Sequence, residues 1–225
     1  EEMQPLKKMF PMTRVGPDFT CDVTDQPILI DGDLQKKFWQ GDIAWYKMEE
    51  WKKKSPVPTE LASEAAFRLT PGRSNIVIGV KCKEPAMDKI PARAKEHDDF
   101  EIFNEDRIEV RIETPERSYF KIAVNTEGII WDETQDVTLV TKYTLPVLWN
   151  PGIKAAVKKE KDRWTAEIMI PTADFGSKGP DKANPWGINV YRIRRVGGVR
   201  EVYDIAPTAE KLPNDLVKMG NLAVP

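Results

Sequence analysis

The nine residues EDRIEVRIE (105–113) carry a charged side chain at every odd position and Ile108, Val110 and Ile112 at three even ones. This alternation predicts a β-strand with one buried face and one face toward solvent. The carboxylate and guanidinium groups of the charged face can hold hydroxyl or anionic groups through charge-assisted hydrogen bonds. They can equally form surface ion pairs, which contribute only about 0.2–1 kcal/mol. For Glu109 the sequence leaves both roles open.

The next segment, SYFKIAVN (118–125), predicts the partner strand of a hairpin. A loop of three or five residues sets odd positions opposite odd positions. The buried face then gains Phe120, Ile122 and Val124, where apolar area contributes about 25 cal/mol per Å2. On the charged face we expect Glu109 near Lys121 and Arg111 near Tyr119. Because the core does not need the charged face, it is the expected place for function.

An acid-rich segment, KEHDDFEIFNED (95–106), contains clustered carboxylates and the only histidine, His97. Calcium takes six to eight oxygen ligands, which such a loop can supply. The residue spacing of an EF-hand loop is absent, which excludes that type of calcium site. We expect instead a structural calcium site that uses Asp98, Asp99 and, from the turn IDGD, Asp31. Asp31 is also ordinary turn chemistry. Zinc is not expected, because one His and two distant Cys do not form a ligand cluster.

Two aromatic residues beside the charged strands are candidates for stacking against a ligand. Phe103 lies two residues before the charged strand 105–113. Trp131 follows a Gly turn and precedes two acids. A Trp in a strand is more often a core residue. Core positions are expected for Trp39, Trp164 and Trp186.

The segment GINVYRIRR (187–195) adds Asn189 and Arg192 as polar candidates. With the two arginines that follow it, Arg192 could hold a carboxylated or sulfated ligand. The run could equally be a solvated strand end that is balanced by Glu201 and Asp204.

Short alternating segments, separated by Gly and Pro turns and with only a few helical turns, predict an all-β antiparallel sandwich. One of these strands is expected at 137–144. Residues 1–20, with three prolines, are expected to form an irregular arm, and residues 21–225 a single domain. Whether Cys21 and Cys82 form a disulfide is left open by the sequence.

Composition and motifs exclude several classes of function. The 34 basic and 36 acidic residues give a net charge of −2, which does not indicate a nucleic-acid partner. No apolar run is long enough to span a bilayer, and the chain opens without a signal peptide. A serine-hydrolase elbow and a glycine-rich nucleotide loop are absent, and a lone His in a charged loop argues against haem. A glycosidase needs only two carboxylates and stays an alternative.

The order of several segments resembles that of the family 9 carbohydrate-binding modules. These segments are QPILIDGDLQKKFWQ, IVIGVKCKEP, NEDRIEVRIE, FKIAVNTEG, DRWTAEIMIPTADFG, WGINVYRIRR and MGNLAVP. The resemblance covers the chain from about Asp25 to Pro225. It implies a jelly-roll-like β-sandwich, often with structural calcium, in secreted polysaccharide-degrading systems. An extracellular, periplasmic or cell-envelope location, within a larger protein, would follow.

In that family two Trp side chains clamp a terminal sugar, helped by a Glu and an Arg from adjacent strands. The resemblance places the Glu at Glu109, the Arg at Lys121 and the first Trp at Phe103. Lys lacks the planar fork of Arg, and residues 206–221 hold no aromatic residue for the second Trp. We therefore expect a non-catalytic carbohydrate-binding domain whose site lies on the charged face, near Trp131, Asn189 and Arg192. The alternatives are a scaffold domain with a decayed sugar site and a glycoside-processing enzyme.

Overall fold

The computed structural model describes residues 14–51, 55–115, 118–134, 149–206 and 219–224, without the side chains of 118 and 119. In this part of the chain the strands are β1 (Asp18–Thr20), β2 (Asp22–Val23), β3 (Tyr46–Lys47), β4 (Glu49–Glu50), β5 (Ser63–Leu69), β6 (Asn75–Lys83), β7 (Arg107–Glu113), β8 (Ser118–Asn125), β9 (Ile130–Thr134), β10 (Lys154–Lys159), β11 (Arg163–Pro171), β12 (Trp186–Val196), β13 (Val199–Asp204) and β14 (Gly220–Ala223). Short 3-10 helices span Lys37–Trp39, Thr59–Leu61, Pro71–Arg73, Met87–Lys89, Phe100–Asn104 and Thr172–Phe175. The strand predicted at 137–144 lies outside the described residues. None of the helices in the described ranges has the length and hydropathy that a membrane crossing requires.

The strands form two sheets that pack face to face. The eight-stranded sheet runs in the order β1-β14-β12-β7-β8-β9, with β13 beside β12 and β4 beside β13. The six-stranded sheet runs β10-β11-β6-β5-β2, with β3 beside β5. The eleven residues of β12 are long enough to pair with β14 near one end and β13 near the other, while β7 runs along its opposite edge. The predicted all-β sandwich is confirmed.

The alternation in β7 and β8 places their apolar residues between the sheets, as predicted. The side chains of Ile108, Val110, Ile112, Phe120, Ile122 and Val124 are fully buried in the main core. They face β5, β6 and β11 of the other sheet, whose inward residues include Ile78, Val80 and Ile168. Each fully buried aliphatic side chain contributes about 1.5–3 kcal/mol by removal from water. The core also holds Trp164 and Trp186, and Trp39 packs in a smaller cluster with Phe38, Ala66 and Val77.

The sheets are not antiparallel throughout, and the predicted irregular arm is too long. β1 pairs in parallel with β14, and β2 pairs in parallel with β5. Phe19 of β1 is buried in the main core, over the backbone of Gly220, where a side chain would collide with its ring. Residues 18–20 thus belong to the sandwich, because Phe19 contributes core surface. Residues 1–13 of the predicted arm lie outside the described residues.

Both cysteines are buried and free. Cys21 and Cys82 belong to the same hydrophobic core cluster but form no disulfide. Burial raises the pKa of the Cys82 thiol to about 12, so the side chain stays protonated at neutral pH. Both act as small apolar core residues.

Candidate functional site

The outer face of the eight-stranded sheet carries two rows of side chains that cross four strands, β12, β7, β8 and β9. The first row is Tyr191, Glu109, Ala123 and Trp131, and the second is Asn189, Arg111, Lys121 and Glu133. The pairing of odd with odd positions is as predicted, but the register differs by two residues. Arg111, and not Glu109, lies directly opposite Lys121. Tyr119 has no described side chain to compare with its predicted place.

Glu109 lies between two arginines of its own strand. Its Oε1 is 2.7 Å from Arg107 Nη2 and accepts from Arg107 Nε at 2.9 Å. Its Oε2 accepts from Arg111 Nη2 at 2.9 Å. The residue is only 3% exposed, so the expectation that this row faces solvent is wrong. Burial alone would raise the pKa of Glu109, but Arg107, Arg111 and Lys121 outweigh it and lower that pKa.

Lys121 forms an ion pair with the neighbouring strand β9. Its Nζ lies 2.9 Å from Glu133 Oε1 of β9 and 4.8 Å from the centre of the Phe103 ring. Arg107 also lies over Phe103, with its guanidinium carbon 5.1 Å from the ring centre. Two cations over one aromatic ring form cation–π contacts with it and hold the ring in place. Lys121 and Phe103, which the sequence predicted separately, are therefore in direct contact.

Phe100, Phe103 and Trp131 form one group, here called the aromatic cluster. The ring centres of Phe100 and Phe103 lie 4.7 Å and 4.9 Å from that of Trp131, and 6.1 Å from each other. Trp131 is 3% exposed and Phe100 is 73% exposed, with Phe103 half-buried. Trp131 is thus the floor of the cluster, and the two phenylalanines are the rings that a ligand can reach. The Trp131 Nε1 donates to Glu133 Oε2 at 3.0 Å.

The 3-10 helix Phe100–Asn104 presents both phenylalanines, and Asp99 stabilises its start. The Asp99 carboxylate accepts from the backbone N–H of Glu101 at 3.0 Å and of Lys95 at 2.9 Å. The contact with Glu101 satisfies a donor that the helix start leaves open, and the contact with Lys95 holds the preceding loop against the cap. Asp99, predicted as a calcium ligand, acts here as a helix cap.

Asn189 lies on the outer face, as predicted, but its amide is committed to the backbone. Its Nδ2 donates to the Ala206 carbonyl at 2.9 Å, and its Oδ1 accepts from the Ala206 N–H at 3.1 Å. The side chain is fully buried. Asn189 therefore fixes the chain at the point where it leaves β13.

Arg192 does not lie on this face, and its predicted role as a ligand contact is wrong. Residues three apart on a strand point to opposite faces, so Arg192 points between the sheets where Asn189 points outward. Its Nη2 lies 2.7 Å from Asp106 Oδ2 and 2.9 Å from Glu84 Oε2, and its Nη1 donates to the Lys83 carbonyl at 2.7 Å. All three side chains of this triad are fully buried. Arg192 joins the two sheets by a buried ion network.

The acids predicted to share a calcium ion lie in different places. Asp31 Oδ1 lies 2.6 Å from Lys36 Nζ, beside Glu167 of the six-stranded sheet. Asp98 faces His97, with 3.5 Å between Oδ1 and Nε2. With Asp99 used as a cap, these three residues do not form the oxygen-rich shell that calcium takes. The predicted calcium ligand set does not fit the structure.

Sequence reasoning missed four residues of this face: Phe100, Arg107, Glu133 and Tyr191. The strand period of two was sufficient to predict Arg107 and Glu133. Arg107 shares a face with Glu109, and Glu133 shares a face with Trp131. Phe100 lies three residues before Phe103, in a 3-10 helix to which the strand period does not apply.

A cavity of about 740 Å3 lies on the other side of the molecule. Among the residues that line it are Glu64, Lys81, Lys158 and Asp33, which pair with each other as Lys81–Glu64 at 2.9 Å and Lys158–Asp33 at 3.2 Å. Lys81 Nζ also lies 3.3 Å from the centre of the Trp45 ring. None of the residues predicted to bind a sugar lines this cavity.

Comparison with known proteins gives structural matches only. No family model and no curated protein matches the sequence. A provisionally assigned carbohydrate-binding protein from Bacteroides uniformis shares the fold at a TM-score of 0.72 and 15% identity, over 93% of this chain and all of that one.

A family 9 carbohydrate-binding module from Caldicellulosiruptor kristjanssonii was solved in two complexes. With cellotriose it matches at a TM-score of 0.61 and 11% identity, over 91% of this chain and 93% of that one. With glucose it matches at 0.64 and 11%, over 92% and 95%. At such identities the likeness shows the fold, and in its fold this chain is a domain like the family 9 carbohydrate-binding modules.

Proposed function

We propose that the protein binds carbohydrate at the aromatic cluster, on the outer face of the eight-stranded sheet. The single observation that carries this proposal is the joint placement of an exposed aromatic surface and fixed polar groups. Phe100 offers an exposed ring, and the half-buried Phe103 lies beside it, with 6.1 Å between the ring centres. Lys121, which is paired with Glu133, lies 4.8 Å from the centre of the Phe103 ring. Sugar rings present C–H groups to aromatic faces and hydroxyl groups to such polar side chains. The structural neighbours include a family 9 module in complex with cellotriose, which supports this ligand class.

The proposed domain is non-catalytic. A glycosidase needs one carboxyl group with a raised pKa as its general acid, beside a second carboxylate. On this face Glu109 has a lowered pKa and both of its oxygens are occupied by arginines. Glu133 is bound to Lys121 and to the Trp131 indole. Both carboxylates are therefore occupied by neighbouring donors, and they position other groups.

The biological setting belongs to the same proposal. We infer that the domain serves polysaccharide degradation, outside the cytoplasm and within a larger secreted or cell-envelope protein. The support is its likeness to family 9 modules, and detection of the full-length protein in the extracellular or envelope fraction would test it. The scaffold alternative predicts no sugar affinity at all.

The direct experiment is a calorimetric screen of cello-, xylo- and uronate-containing oligosaccharides against three tag-free proteins. The wild type should bind at least one class, and the double variant Phe100→Ala/Phe103→Ala should lose that binding. Trp45→Ala, which removes an aromatic side chain with a cation–π contact on the other sheet, is the matched control and should bind like wild type. Binding that survives in the double variant would place the site elsewhere, and no binding by the wild type would favour the scaffold.

A further inference from the structure

Three metal-ligating side chains meet where the loop before Phe100–Asn104 packs against β9. His97 Nε2 lies 2.7 Å from Asp132 Oδ2 and 3.5 Å from Asp98 Oδ1. One ligand atom from each residue lies within 4.8 Å of the others. The backbone holds the arrangement, because Asp98 N–H donates to the Ile130 carbonyl at 3.0 Å and Asp132 N–H donates to Asp98 Oδ1 at 3.3 Å.

Asp132 gives an independent indication that this group of side chains binds a cation. It is fully buried, and its Oδ1 has no hydrogen-bond partner among the residues that the structure describes. A buried carboxylate oxygen without a partner costs about 1–3 kcal/mol. His97 offers its Nε2 to the other oxygen only. Asp98 brings a second carboxyl group to the same place.

We propose that His97, Asp98 and Asp132 bind one divalent first-row transition-metal ion, for which Zn2+ is the probe. An imidazole nitrogen with two carboxylates suits zinc and its neighbours, whereas calcium takes six to eight oxygens. Three protein ligands leave a zinc ion one position for water. The sequence did not predict zinc, because His97 and the two cysteines are far apart along the chain. Asp132 lies near His97 only in the folded structure. Cys21 and Cys82 are buried and offer no competing thiolate.

Such an ion would join the aromatic cluster to the sheet. Asp98 lies two residues before Phe100, and Asp132 directly follows Trp131. An ion shared by Asp98 and Asp132 therefore fixes the loop that carries Phe100 to the strand that carries Trp131. This inference rests on the three ligands alone and does not require that the protein bind sugar.

The test is calorimetry of tag-free protein with ZnCl2, and separately with MnCl2 and CaCl2. Zn2+ should bind once per chain, and a concentration 100 times the Kd should raise Tm by about 5–10 °C. His97→Ala and Asp132→Asn should each weaken Zn2+ binding by about 100-fold, while Asp162→Asn, at an exposed acid, should not. Because the chain has one histidine, the NMR signal of a single imidazole reports directly on coordination.

Thermal melting in metal-free buffer checks that the variant folds. There Asp132→Asn should have a Tm at or above that of the wild type, because a buried ionisable group has been removed. The proposal is overturned if Zn2+ leaves Tm and the His97 ring signal unchanged. It is also overturned if both His97→Ala and Asp132→Asn bind Zn2+ like wild type, or if Ca2+ binds more tightly than Zn2+. The last result would show an oxygen-liganded site instead.

Discussion

The rings of Phe103 and Trp131 meet edge to face, with centres 4.9 Å apart and planes at 70°. This is the favourable geometry of an aromatic pair, contributing about 0.5–1.5 kcal/mol beyond buried area. Because Trp131 is buried beneath, it holds Phe103 in a fixed orientation while part of that ring remains accessible. A fixed aromatic side chain loses little conformational entropy when a ligand stacks on it.

The members of the aromatic cluster should differ sharply in their effect on stability. Trp131→Ala should lower the free energy of unfolding by about 3–5 kcal/mol, because a buried indole leaves a cavity. Phe100→Ala should lower it by no more than about 1.5 kcal/mol, because the ring is mostly exposed and loses only its aromatic contacts. Urea denaturation measures both. Equal effects would show that Phe100 is a core residue and not an accessible ring.

Glu109 should make stability depend on acid pH. Its folded pKa lies below the ordinary value of 4.5, so its contribution is present above that value and is lost as the pH falls through the folded pKa. Glu109→Gln should cost about 3 kcal/mol at pH 7, because two buried arginines lose their counter-charge. At pH 3 the cost should be clearly smaller.

Urea midpoints of both proteins at the two pH values measure this difference. Glu160→Gln is the control, since the exposed pair of Glu160 with Arg163 should contribute less than about 1 kcal/mol. A cost of Glu109→Gln that is the same at pH 3 and pH 7 would contradict the ion-pair arrangement.

Arg192 should matter for stability and not for ligand binding. Arg192→Met leaves Asp106 and Glu84 buried without their shared cation, at a cost of about 3–5 kcal/mol. Arg163→Met, at a half-exposed arginine, should cost less than about 1 kcal/mol. The folded fraction of Arg192→Met should keep wild-type sugar affinity in calorimetry. A specific loss of affinity with unchanged Tm would return Arg192 to the binding site.

Lys121→Arg should strengthen sugar binding. The guanidinium can donate two parallel hydrogen bonds where the ammonium acts as a point charge. One added hydrogen bond corresponds to about 2- to 10-fold in affinity. Lys81→Arg, which keeps the cation beside Trp45 on the other sheet, should leave affinity unchanged. Weaker binding by Lys121→Arg would show that the lysine contacts no ligand hydroxyl.

The period-two pattern was sufficient to predict the sandwich and the inward residues, because alternation directly encodes which face is buried. It could not predict the register, since a shift of two residues keeps every side chain on its face and still moves Arg111 opposite Lys121. It also could not predict that the charged row is covered. Burial of Glu109 depends on its neighbours across the sheet, and these are set by tertiary packing.

The error at Arg192 was avoidable from the sequence, whereas the cluster around Asp132 was not. Asn189 and Arg192 are three residues apart in one strand, so they could not share a face. His97 and Asp132 are separated by 35 positions and meet only because β9 lies beside the acid-rich loop. Such a contact has no signal in a single sequence.

The most direct measurement is a crystal structure of the protein with the oligosaccharide that binds best in the calorimetric screen. Binding at the aromatic cluster predicts a sugar ring in contact with Phe100 or Phe103, at about 4 Å, with hydroxyl groups bonded to Lys121 or Glu133. A sugar seated instead in the cavity on the six-stranded sheet, beside Lys81 and Glu64, would contradict it.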